Sequence, residues 1–72
     1  MDFKKWKHKR HIRRTARENL NSYTTVYFYI DHILNRISGK IEQVDKTTLT
    51  IRHGRSSTHI WFEDIENIIV QD

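Results

Sequence analysis

Cysteine and proline are absent from the 72 residues, and glycine occurs only at Gly39 and Gly54. Without cysteine there are no disulfides, no thiolate zinc sites and no thiol nucleophile, a usage that fits a reducing cytoplasm. No apolar run approaches the 18 or so residues of a membrane span. The basic start is not followed by the apolar stretch of a secretory signal. A cytoplasmic chain with no membrane partner is expected. A domain this short buries only about 60% of the surface its unfolded chain exposes. That leaves room for one modest core and none for an enclosed active site, so neither a small-molecule substrate nor a cofactor is expected.

The charge that is present is unevenly placed. Residues 1 to 17 carry eight of the thirteen basic residues, Lys4, Lys5, Lys7, Lys9, Arg10, Arg13, Arg14 and Arg17, against Asp2 alone. The remaining chain carries five basic and eight acidic residues, so a basic arm precedes a mildly acidic body. Cations at this density attract phosphates and release counterions on binding. DNA or RNA is therefore the expected partner, and these eight residues are its expected contacts. Two weaker alternatives are an acidic protein or anionic membrane surface and a passive, solvated tail.

Periodicity divides the chain at about residue 22. Ile12, Ala16 and Leu20 recur every four residues, which predicts a helix over residues 9–22 with one narrow apolar stripe. From Tyr23 the period becomes two. Val26, Phe28 and Ile30 alternate with Tyr27 and Tyr29 in an aromatic, β-branched strand that ends at a turn at Asp31-His32. A long second strand follows, with Ile33, Ile37 and Ile41 on one face and a bulge or bend expected at Gly39. Residues 48–53 form a third strand, with Leu49 and Ile51 inward. After a loop over residues 54–57, a fourth strand turns Ile60 and Phe62 inward and Trp61 outward. A short turn over residues 63–67 leads to a last strand at residues 68–70. The expected core is Val26, Phe28, Ile30, Ile41, Leu49, Ile51, Ile60, Phe62 and Ile68.

One helix and five short strands define an α+β chain that is mainly β. Residues 1–22 are the basic arm and helix, and residues 23–72 are the sheet, within one domain overall. Such a meander is expected to close as a small antiparallel Sm/SH3-like barrel, which leaves few bare edges. An open sheet with the helix on one face is the runner-up.

The stretch from Val26 to Asp45, with Gly39-x-Ile41-x-x-Val44-Asp45, and the segment Phe62-Glu63-Asp64-Ile65-Glu66-Asn67-Ile68 resemble YolD-like proteins. These are small Gram-positive and phage proteins often found beside error-prone polymerases. The resemblance spans roughly residues 20–70 and implies a phage or mobile-element accessory protein that works by binding. The Gly39 to Asp45 segment also resembles the first motif of the Sm-like group of RNA-binding proteins. Where that group carries the asparagine of its nucleotide pocket, this chain reads Lys46-Thr47-Thr48-Leu49-Thr50. The likeness therefore extends to the fold and not to the pocket.

Catalytic and metal patterns are thin. His8 and His11 share a helical face, but no spacing supplies further ligands. His32, His53 and His59 lie in or beside turns, and Ser56, Ser57 and Thr58 beside His59 are turn formers. Glu63, Asp64 and Glu66 suit a solvated turn with Asp64 as its cap. No metal site and no enzyme activity are expected. Tyr27, Tyr29 and Trp61 face away from the inward residues. Each is a candidate for base stacking, for a protein or homo-oligomer interface, or for cover by the helix. The expected function is non-enzymatic nucleic-acid binding with weak sequence preference. The alternative is a protein-interaction factor that inhibits or recruits an enzyme.

Overall fold

In the computed structural model, which describes residues 3–71 and side chains from His8 to Gln71, the chain opens with helix α1 (Phe3–Glu18). Ile12 and Ala16 sit one turn apart on its buried face, 1% and 0% exposed. The helix starts earlier than the periodicity indicates and ends earlier. Asn19 donates its backbone N–H to the Ala16 carbonyl at 3.2 Å and its side-chain amide to Thr15 O at 2.8 Å. Asn21 then adopts φ 70°, a left-handed conformation that asparagine tolerates. Leu20, expected to extend the apolar stripe, falls past this break and is 48% exposed. The linker is fastened to the sheet by Asn21 N–H to Ile41 O (2.8 Å) and Ile41 N–H to Ser22 O (3.1 Å).

Five antiparallel strands follow: β1 (Tyr23–Ile30), β2 (Ile33–Val44), β3 (Thr48–His53), β4 (Ser56–Trp61) and β5 (Ile65–Val70). Their order in the sheet is β4-β3-β2-β1-β5. Asp31 and His32 make the two-residue β1–β2 turn with φ 50° and 67°, the pair of positive angles that matches strand twist in tight hairpins. The β3–β4 hairpin is equally tight, since His53 pairs with Ser56 and only Gly54 and Arg55 form the turn. It is shorter than the expected loop.

The sheet is open. After β4 the chain makes a 3₁₀ turn (Phe62–Asp64), anchored by Phe62 N–H to Thr47 O at 2.9 Å, and then joins the far side of β1 as β5. Strands β4 and β5 are therefore the two edges, and no ladder joins them to close the expected Sm/SH3-like barrel. The 3₁₀ turn has Trp61 at its cap position with no side-chain capping bond, so Asp64 does not cap it as the sequence suggests.

The inner face of the sheet and the underside of α1 enclose one core. It contains Ile12, Ala16, Val26, Phe28, Ile41, Leu49, Ile51, Ile60, Phe62, Ile65 and Ile68. Ile65, which reads as part of an acidic turn, is 3% exposed as the first residue of β5. Ile30, expected inside, is 53% exposed. It lies beyond Phe28, the last β1 residue paired with β5, on a hairpin tip that overhangs the core. Gly39 sits where β2 approaches β3 closely. A Cβ there would strike the Arg52 carbonyl oxygen and approach Ile51 Cγ2 to 2.7 Å. The bulge expected at Gly39 falls two residues later, between Ile41 and Gln43. Among the described residues, no helix is long and apolar enough to cross a membrane.

Candidate nucleic-acid interface

Because α1 uses only Ile12 and Ala16 to pack, its other faces carry the charge. Lys9, Arg10, Arg14 and Arg17 are exposed, and Arg13 is half-buried. Arg10, Arg13, Arg14 and Arg17 line one shallow groove together with Glu18. Lys4, Lys5 and Lys7 belong to the helix by backbone, and their side chains lie outside the described residues, as does that of Trp6.

The connection between β2 and β3 brings a further cation to the helix. Asp45 N–H donates to Thr48 O at 2.9 Å, and the Asp45 carboxylate accepts from Gln43 Nε2 (2.9 Å) and Thr48 Oγ1 (3.4 Å). That turn presents Lys46, whose carbonyl accepts a hydrogen bond from Arg13 Nη1 at 3.2 Å. The same region holds Trp61, paired with Thr48 at the end of β4 and 54% exposed. Phe62, the next residue, turns inward and is 5% exposed. Of the two, Phe62 joins the core and Trp61 stays at the surface.

These pieces line an open cleft of about 410 Å³ that brings together Lys9, Arg10, Arg13, Lys46, Trp61 and Glu63. Four cations thus meet one carboxylate. Lys9 Nζ lies 3.8 Å from Glu63 Oε2, and both side chains are substantially exposed. Exposed pairs of this kind contribute about 0–1 kcal/mol, too little to withhold the lysine from a phosphate. Trp61 keeps more than half of its surface exposed, so it is not buried under the helix.

The three outward aromatics do not form one platform. Tyr29 lines a second cleft of about 620 Å³ with His8, Lys9 and His32 and with Glu63, Asp64 and Glu66. Its three carboxylates make it a poor host for phosphate. Tyr27 is half-buried on β1, between Arg36 of β2 and Asn67 of β5. Sequence reasoning did not single out Lys46, because the signal it used was density and this lysine stands alone in a turn.

The remaining polar clusters are cross-strand contacts. His59 Nδ1 and Thr50 Oγ1 are 2.8 Å apart, and His53 Nε2 and Thr58 Oγ1 are 2.7 Å apart. Each pair joins β3 to β4. Among the described residues, no group of three or more His, Cys, Asp or Glu side chains is arranged to hold a metal ion. Comparison with family models, with curated proteins and with solved structures finds no match to this chain.

Proposed function

We propose that this chain is a non-enzymatic nucleic-acid-binding module in which the exposed face of α1 contacts phosphates. The observation that carries the reading is the clustering of Lys9, Arg10 and Arg13 with Lys46 and Trp61, cations from two separate elements around one aromatic ring. Arginine forks suit phosphate oxygens. Contacts to phosphate position a protein without reading base sequence, so sequence preference is weak. The cysteine-free composition supports a cytoplasmic setting.

The test is salt-titrated binding to single-stranded and duplex DNA and RNA. With about six cations engaged (Lys9, Arg10, Arg13, Arg14, Arg17 and Lys46), log K falls with log salt at a slope near −5 on duplex and about −4 on single strands. Replacing Arg14 and Arg17 with glutamine leaves the buried stripe intact and makes the slope shallower by about 1.8 on duplex and about 1.4 on single strands. Deleting the helix is a poorer test, since Ile12 and Ala16 belong to the core.

A second reading, a protein-interaction factor, draws on a different surface. Tyr29, Ile30, Ile33 and Leu34 expose 42%, 53%, 66% and 50% of their area at the overhanging β1–β2 hairpin tip. Apolar side chains gathered in this way are typical of interaction sites. A protein partner would take this tip and leave the basic helix free.

A further inference from the structure

We infer that the cleft between α1 and Trp61 is built for one unpaired nucleotide: its base lies on the indole and its phosphate meets Arg13 and Lys46. This inference rests on the nucleic-acid reading and narrows it to strands with unstacked bases. At about 410 Å³ the cleft falls within the range of small-ligand sites, about 300–1,000 Å³. Its lining cations are placed differently: Lys9 lies 3.8 Å from Glu63, whereas Arg13 is joined to the turn that carries Lys46. A nucleotide entering with its phosphate toward Glu63 is repelled, and one entering with its phosphate toward Arg13 and Lys46 is held.

The hydrogen bond from Arg13 Nη1 to the Lys46 carbonyl commits one of the five guanidinium donors and links the cation to the turn beside the indole. The turn itself is braced by Asp45, which accepts from Gln43 and Thr48. The ring is therefore flanked by an anchored cation. A duplex offers phosphates to the helix but hides its base faces within the stack, so it satisfies the cations and leaves Trp61 unused. An unpaired base satisfies both.

The experiment uses the full chain carrying Trp6→Phe, so that Trp61 alone reports by fluorescence. The probes are a ten-nucleotide mixed-sequence single strand, as DNA and as RNA, and the same DNA as a duplex. Single strands quench Trp61 on binding and the duplex does not. Trp61→Ala weakens single-strand binding roughly 5- to 150-fold, the loss of one stacked base, and leaves duplex binding within about twofold. Trp61→Phe keeps most of the affinity, and circular dichroism verifies that both variants are folded. Unchanged single-strand affinity in Trp61→Ala, or equal weakening toward both forms, overturns the unpaired-nucleotide site and leaves phosphate binding by the helix standing. Failure of the parent chain to bind any of the three probes overturns both.

Discussion

Replacing Gly39 with alanine adds one methyl group where β2 lies close against β3. The new Cβ would strike the Arg52 carbonyl oxygen, with Ile51 Cγ2 at 2.7 Å and the Arg52 carbonyl carbon at 3.0 Å. Two of the three atoms are β3 backbone, in the residue that pairs with Lys40 of β2, so relief requires the ladder to move. Overpacking of a tight site costs about 1–3 kcal/mol, and a backbone obstacle places this case near 3. A chain of this length has a total stability of about 4–11 kcal/mol. At about 4–8 °C per kcal/mol, the melting temperature falls by roughly 12–24 °C. Gly54→Ala is the control. Gly54 has φ +65° and nothing within 4 Å of an added Cβ, so only the left-handed penalty of about 1–2 kcal/mol applies. Thermal and urea unfolding followed by circular dichroism rank the two variants. If Gly39→Ala melts within about 3 °C of the parent, or above Gly54→Ala, the close approach of β2 to β3 at Gly39 does not exist.

Four further outcomes follow from the same geometry. Phe62→Ala, at a side chain 5% exposed, costs about 3–5 kcal/mol by denaturant titration, whereas Ile30→Ala, 53% exposed, costs under about 1 kcal/mol. Glu63→Gln removes the carboxylate beside Lys9 and tightens single-strand binding roughly 1.5- to 5-fold at low salt, measured by anisotropy. Tyr29→Ala leaves nucleic-acid affinity within about twofold, because Tyr29 lines the acidic cleft and not the basic one. Ile33→Ser with Leu34→Ser leaves both the melting temperature and the salt slope close to the parent values, since both residues lie outside the core.

Period and turn chemistry made the element order readable. The change from a period near four to a period of two marks the end of α1, and the turn at Asp31-His32 falls where the strand pattern breaks. Val26, Phe28, Ile41, Leu49, Ile51, Ile60, Phe62 and Ile68 all face inward and are buried, as their alternation indicates. Alternation reports which face a residue occupies and not how far the core reaches, which is why Ile30 and Ile33 continue the inward pattern into solvent. Leu20 illustrates the same limit on a helix, where the left-handed Asn21 ends the element before the stripe does. Closure was misread because it depends on where β5 docks. The anchor of the 3₁₀ turn on Thr47 sends β5 to β1 and leaves β4 an edge. The basic residues of the arm were visible as a cluster, but their meeting with Trp61 was not. That meeting needs the β2–β3 turn to deliver Lys46 and the end of β4 to turn the indole outward, neither of which leaves a local signature.

The central claim, that phosphates bind the exposed face of α1, is tested most directly by the salt dependence of binding to one single strand by the parent and by Arg14→Gln/Arg17→Gln. The account predicts a slope near −4 in the parent, and one shallower by about 1.4 in the double variant, with unchanged circular dichroism. A slope near zero in the parent, or the same slope in both proteins, contradicts it.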